Sequence, residues 1–230
     1  MDNTPAHAEP KGLCIALIGA ESTGKSSLAQ ALTEHLSQTT TLRVTHVDEH
    51  LRDWCDAEGR TPRIDEQADI AQTQIDLIEA AALTHDLVIC DTTPLMTAIY
   101  SELVFDDASL YGLARQFHQR CAQTLLMGLD LPWVADGLRD GPHVRPPADA
   151  LLRRALRQFG VPFGVVTGQG QARLDAALNA ITPLLLSLEP QGTGLFSRLM
   201  KRQDQVGGLR AWICEHCDVA ECEHALRRKG

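Results

Sequence analysis

The sequence predicts an α/β fold, a parallel five-stranded sheet with helices on both faces, plus a short Cys-rich C-terminal tail. Three observations predict it. Short apolar runs recur along the chain without polar alternation, as strands buried on both faces do. Segments of helical period separate them, and strand–helix alternation builds right-handed crossovers into a parallel sheet. The first apolar run leads into a glycine-rich loop, "GAESTGKSS", that opens the first helical segment.

Each element follows in order. "LCIALIGA" (Leu13–Ala20) is the first strand, and a helix runs from Lys25 to about Ser37 with Leu28, Ala31, Leu32 and Leu36 inward. "LRVTHVDE" is the second strand, with Leu42, Val44 and His46 alternating on one side. From Ile64 the positions Ile64, Ala68, Ala71, Ile75, Ile78 and Ala82 step by four and three, one face of a long helix. "DLVICD" is the third strand, ending in Asp91, and helices follow over Pro94–Val104 and Tyr111–Gln123. "TLLMGLD" is the fourth strand; "ADALLRRALRQFG" is a helix opened by two prolines and closed by Gly160. "VPFGVVTG" is the fifth strand, and Gln171–Leu188 the last helix, with Leu174, Leu178, Ile181, Leu185 and Leu188 inward. Residues 1–12 read as a polar extension, 13–189 as the domain, 190–208 as a linker and 209–230 as a Cys/His-rich tail.

Composition narrows the partners. A formal charge of −9 argues against a phosphate-backbone footprint, which needs a basic face, so nucleic acid is not an expected partner. The tail differs from the body: seven Lys/Arg stand against five acids beyond Phe196. No apolar run approaches the roughly 20 residues of a membrane span. The N-terminal "MDNTPAHAEP" lacks the pattern of a secretory signal. A cytoplasmic location is the expectation, and the seven cysteines then read as thiols or metal ligands rather than disulfides.

Gly19–Ser26 fits G-x-x-x-x-G-K-[ST] between a strand and a helix, the context of a P-loop NTPase or kinase fold. Gly19, Glu21, Ser22, Thr23, Gly24, Lys25, Ser26 and Ser27 then form the ATP phosphate cradle. Backbone N–H groups and the helix N-terminus face the anion, Lys25 reaches the β/γ-phosphates, and the Ser26 hydroxyl ligates Mg²⁺. Asp91 at a strand end reads as the Mg²⁺ carboxylate, or alternatively as the N-cap of the next helix. Asp48 and Glu49 end the second strand at the same sheet edge, where either could orient or deprotonate an acceptor hydroxyl; the alternative is a solvated turn pair. Arg52, one helical turn on, could hold a phosphate or pair with Glu49. "DGLRDGPHVRPP" carries Arg139 and Arg145 in a segment rich in Gly and Pro, an arginine-bearing lid or a solvated loop.

These segments together resemble the NadR-type ribosylnicotinamide kinase domain, of an AAA-like P-loop kinase family. The resemblance rests on "IALIGAESTGKSSLAQAL", "DEHLRDW", "DTTPLMTAIYSELVF" and "LDLPWVADGLRD" in that order, and spans about Leu13 to Leu188. It implies MgATP-dependent phosphorylation of the 5′-hydroxyl of nicotinamide riboside to the mononucleotide. It assigns phosphate and metal roles to Gly24, Lys25, Ser26 and Ser27, places Glu49 and Arg52 near the acceptor and Asp91 at metal and substrate, and puts Asp136 and Arg139 in the lid. Joined with the reading of the residues themselves, this gives Lys25, Glu49, Asp91 and Arg139 as the catalytic set and Asp48, Arg52, Asp136 and Arg145 as the substrate set. The resemblance also puts Gly168 and Gln169 of "VTGQGQAR" near the adenine. One departure is visible: where family members often carry Asp-Thr-Asp, this chain has Asp91-Thr92-Thr93.

In "WICEHCDVAECEH", Cys214, Cys217, Cys222 and His224 have the ligand types of a closed structural zinc site. The single residue before His224 is tight, so His216 or a partner's side chain is an alternative fourth ligand, and a reduced tail without metal the other reading. Cys14 and Cys90 read as core fillers. Cys55, Cys121, His46, His85 and His118 lack the partnered spacing of a catalytic set. A second class of function follows from Thr93 and the tail: a regulatory or switch-type P-loop ATPase that binds a protein partner through its Cys-rich end.

Overall fold

The computed structural model describes residues 12–134 and 141–188. Five strands form one parallel sheet: β1 Leu13–Ile18, β2 Val44–Val47, β3 Leu87–Asp91, β4 Gln123–Met127 and β5 Gly164–Val166. Their spatial order is β2-β3-β1-β4-β5. The helices are α1 Lys25–Thr39, α2 His50–Glu58, α3 Gln67–Thr84, α4 Pro94–Phe105, α5 Tyr111–His118, α6 Arg145–Phe159 and α7 Gln171–Leu188.

Strand alternation divides the core into two layers. Ile15 and Leu17 of β1, Leu87 and Ile89 of β3, and Leu125 and Met127 of β4 face α1 and α7. On the other face, Ile18 and Leu126 pack on α4 and α6, and Val88 and Cys90 on α3. α1 supplies Leu28, Ala29, Leu32 and Leu36. It stops at the Thr39-Thr40-Thr41 run, where Thr40 turns extended and its N–H caps the Leu36 carbonyl. Gly160 ends α6 in a left-handed conformation (φ 67°), the role its sequence position predicts.

Several boundaries differ from the sequence reading. α2 is an additional helix, too short for periodicity to reveal. α3 starts at Gln67; Ile64 lies before it in a 3₁₀ turn, Ile64–Glu66, and is exposed, as is Ala68. The buried face of α3 instead includes Gln67, Ile70 and Gln74. On α7, Arg173 and Ala177 join Ile181 and Leu185 at the centre of the face, and Leu174, Leu178 and Leu188 sit at its margins.

No helix among the described residues is long and apolar enough to cross a membrane. Asp136, Arg139 and the tail residues Cys214, Cys217, Cys222 and His224 lie outside the described residues.

Candidate functional site

The chain leaves β1 towards one side of the sheet and β3 towards the other, so their carboxyl ends open a crevice. The glycine loop lies there. Gly24 adopts φ 77°, which L side chains rarely occupy, and a Cβ on it would meet Leu131 at 3.0 Å. Gly19 is equally confined: its added Cβ would lie 2.8 Å from the Met127 side chain. The Thr23 hydroxyl donates to the Ala20 carbonyl (2.7 Å), and Lys25 Nζ donates to the Gly19 and Ala20 carbonyls (3.0 and 3.2 Å). The ammonium is thereby held at the loop it would share with an anion.

Beneath the loop is a group that sequence reasoning passed over. Arg173, 4% exposed, donates to the carbonyls of Thr23 (2.9 Å), Gly128 (3.3 Å) and Gly168 (2.5 Å) and pairs with Asp130 (3.2 Å). Asp130 in turn accepts from the Gly168 N–H at 2.7 Å. One guanidinium therefore joins the phosphate loop to the loops after β4 and β5. At the crest, the Ser22 hydroxyl donates to the Val134 carbonyl at 3.1 Å, tying the loop to the chain just before residue 135.

Two cavities open at this edge. One, of about 400 Å³, is lined by Ser22 through Ser27, by Leu131, Pro132 and Val134, and by Gln169. The other, of about 530 Å³, is lined by Glu21 together with apolar groups of α2, α4 and the turn before α3. Lys25, Glu49 and Arg52 line both. Of the two adjacent acids, Glu49 faces the cavities. Asp48 lines neither: its side chain is 72% exposed, 3.6 Å from His46 Nε2. Arg52 lies 3.8 Å from Glu49, the pairing expected one turn on.

Gln74 on α3 fixes that corner. Its Oε1 accepts from the His50 N–H (2.7 Å) and its Nε2 donates to the Asp48 carbonyl (3.1 Å), so both peptides flanking Glu49 are held. The far wall is tied as firmly. Glu66 bonds both Arg60 and Arg63, and these bonds hold its carboxyl well down, to about 2.

Asp91 ends β3 at 2% exposure, and its Oδ1 is buried without a hydrogen-bond partner. Thr93, not Asp91, takes the N-cap position of α4. Asp91 lines neither cavity but pairs in register with Leu17, two residues before the phosphate loop, and a buried carboxylate oxygen with no donor among the described residues fits a cation ligand. Among the described residues no three acidic, His or Cys side chains gather as a metal cage, so an ion here would draw its other ligands from the Ser26 hydroxyl and nucleotide phosphates. Thr92, between these residues, holds φ 78°, a strained conformation for a β-branched residue of the kind that clusters at functional edges.

Thr93 turns away from the cavities. It is fully buried, and its hydroxyl meets His118 Nε2 at 2.7 Å, while His118 Nδ1 lies 3.4 Å from the Thr124 hydroxyl. Burial pushes the His118 imidazole down to about 3, so it stays neutral in the folded protein. The unfolded chain takes up this proton near pH 6.5 and the folded one near 3, so stability falls as pH drops from 6.5. Between pH 7 and 5 this one group is expected to remove about 2 kcal/mol. Thermal melts should show a shallower acid slope for His118→Gln, and an unchanged slope would contradict the assignment.

Arg145, expected in a closing segment, is instead the first residue of α6 and 7% exposed. It donates to the carbonyls of Leu131 (2.9 Å) and Leu129 (3.3 Å). The reason is local: its long side chain satisfies carbonyls of the turn after β4, and Pro146 and Pro147 set the first helical turn there. Gly168 lies against the Arg173 anchor, and Gln169 lines the phosphate cavity.

A family model described as an AAA domain matches residues 14–173. Two crystal structures similar to this one are of NadR protein. One, in complex with NR, is 20% identical with a TM-score of 0.61 and covers 73% of this chain and 51% of that one. The other, in complex with NAD and AMP-PNP, is 18% identical with a TM-score of 0.58, covering 73% and 49%. The chain spans about half the length of these relatives, and the likeness is one of fold. No curated protein matches the sequence.

Proposed function

The chain belongs to the AAA domain family, and on that premise we propose that it is a MgATP-dependent small-molecule kinase. Its acceptor in this reading is the 5′-hydroxyl of nicotinamide riboside, and its product nicotinamide mononucleotide. One observation carries the proposal: the phosphate cavity and the larger, mostly apolar cavity share the wall formed by Lys25, Glu49 and Arg52. A triphosphate in the first would end where an alcohol in the second begins. Of the two NadR structures one holds NR and the other NAD with AMP-PNP, which supports a nucleoside-like and a triphosphate ligand for this reading.

The residues divide the work. Loop N–H groups and the α1 N-terminus hold the phosphates, and Lys25 exchanges its carbonyl partners for the β/γ-phosphate oxygens. Ser26 and Asp91 would hold Mg²⁺, which supplies charge neutralisation on the transferring group. Glu49 accepts the proton of the acceptor hydroxyl, and Arg52 orients Glu49 or steadies a phosphate. The apolar wall displaces water that would otherwise receive the phosphoryl group.

Incubation with MgATP and nicotinamide riboside should yield the mononucleotide by mass spectrometry. ATP binding without that product removes the riboside claim. Gln74→Leu should leave the peptide groups at His50 and Asp48 without partners and lower kcat/KM about tenfold, as expected of about 1.4 kcal/mol, with the KM for ATP unchanged. Full activity in that variant would dissociate Glu49 from the chemistry.

Thr93 favours one second reading. Its hydroxyl is engaged with His118, and threonine stands there in place of an acid that could contact an acceptor, which leaves a regulatory or switch-type ATPase as the alternative. That reading requires ADP release at the same rate with or without acceptor.

A further inference from the structure

The Thr93 hydroxyl is diverted from the role its position suggests. Thr93 takes the N-cap position of α4, where a threonine side chain ordinarily accepts an N–H of the first helical turn. Here it makes no such bond. The Met96 N–H goes to the Thr93 carbonyl instead (2.9 Å), and the hydroxyl meets Nε2 of His118, the last residue of α5, at 2.7 Å. Both side chains are buried, Thr93 fully and His118 at 1% exposure, where a lost hydrogen bond is not readily replaced by water. His118 is held in turn: its carbonyl accepts the Cys121 N–H (3.2 Å), and its Nδ1 lies 3.4 Å from the Thr124 hydroxyl on β4.

Between Thr93 and Asp91 lies Thr92, at φ 78°. A β-branched residue keeps such a left-handed conformation only where its surroundings over-determine it. The Thr92 hydroxyl supplies no restraint, since it is buried without a partner among the described residues. The Thr92 N–H donates to the Leu17 carbonyl (3.1 Å), which pins the Asp91 side of the turn to β1. The Thr93–His118 bond pins the other side.

We propose that Thr93 is a positioning residue: bonded to His118, it holds the Thr92 turn and so fixes the Asp91 carboxyl for the cation. The proposal rests on the kinase reading for the part played by Asp91, and it gives Thr93 a role that needs no contact with the acceptor.

Calorimetry of AMP-PNP binding to the full-length chain, with Mg²⁺ and again in EDTA, reads the cation's contribution without turnover. The unaltered protein should bind about tenfold or more tightly with Mg²⁺, and Asp91→Asn should lose that gain. Thr93→Val should lower the gain about tenfold, the low end for removing a group that orients a metal ligand, with affinity in EDTA within about threefold. This variant removes no helix cap but strands His118 Nε2. Thr93→Val joined with His118→Leu removes both partners, which disturbs folding less, and should lower the gain to the same extent. Thr93→Ser keeps a hydroxyl and should keep the gain. Thermal melts check that each variant is folded. An undiminished gain in either valine variant overturns the proposal, as does its loss in Thr93→Ser. So does an equal fall in both conditions, which marks a structural role alone, or an unaltered protein that binds no more tightly with Mg²⁺. A gain dependent on Asp91 and Thr93, without phosphorylation of nicotinamide riboside, sinks the kinase reading and leaves Thr93 its role. Mononucleotide formation with a gain indifferent to Thr93 does the reverse.

Discussion

Replacing Lys25 with Met is expected to lower kcat/KM for phosphoryl transfer by about 10²–10³-fold, the cost of removing one preorganised electrostatic donor from the transferring group. The melting temperature should move little. Among the described residues Lys25 Nζ bonds the Gly19 and Ala20 carbonyls, and the Ala20 carbonyl keeps its bond from the Thr23 hydroxyl when the ammonium is removed. Lys25→Arg should not rescue turnover, because a planar guanidinium does not reproduce a compact ammonium in a loop this tight. Steady-state kinetics with either variant tests this. A Lys25→Met protein with more than about a tenth of normal turnover would remove the lysine from the mechanism.

The second large effect is structural in origin and functional in readout. Arg173→Ala should cost about 3 kcal/mol and lower the melting temperature by roughly 10 °C. It strips a buried guanidinium from three carbonyls and leaves Asp130 without its pair. Asp130 is one-third exposed, and its partial hydration keeps the cost below that of a fully buried orphan charge. Because one acceptor is the Thr23 carbonyl, the phosphate loop loses its support from below, and ATP affinity should fall about tenfold alongside stability. Arg173→Lys should recover only part of both, since three rotatable donors replace a rigid fork. Melts within about 2 °C of the unaltered protein, or undiminished ATP binding, would show that the loop does not depend on this anchor.

Much of the fold was legible because the physics behind it is local. Buried parallel strands read as unbroken apolar runs, and the phosphate loop as glycines that only particular φ values need. Ile64 misled because an apolar residue four before Ala68 extends a helical period on paper, whereas the chain makes a 3₁₀ turn and leaves Ile64 at a cavity wall. The choice between Asp48 and Glu49 was not in the local sequence: Gln74, 26 residues after Asp48, holds the peptides that send one inward and the other to solvent. Arg173 was missed for the same reason, since its bond to Thr23 spans 150 positions. A signal did exist for Gln67 and Gln74. Both stand on the apolar face of α3 with Ile70, Ala71 and Ile78, where a polar residue needs a reason.

The reaction expected of this site is transfer of a phosphoryl group to an alcohol across the wall that the two cavities share. ³¹P NMR of one reaction containing the protein, MgATP and nicotinamide riboside tests it most directly. A phosphomonoester resonance should grow at the rate of ADP, with little inorganic phosphate. Inorganic phosphate rising with ADP while the riboside stays intact would contradict it.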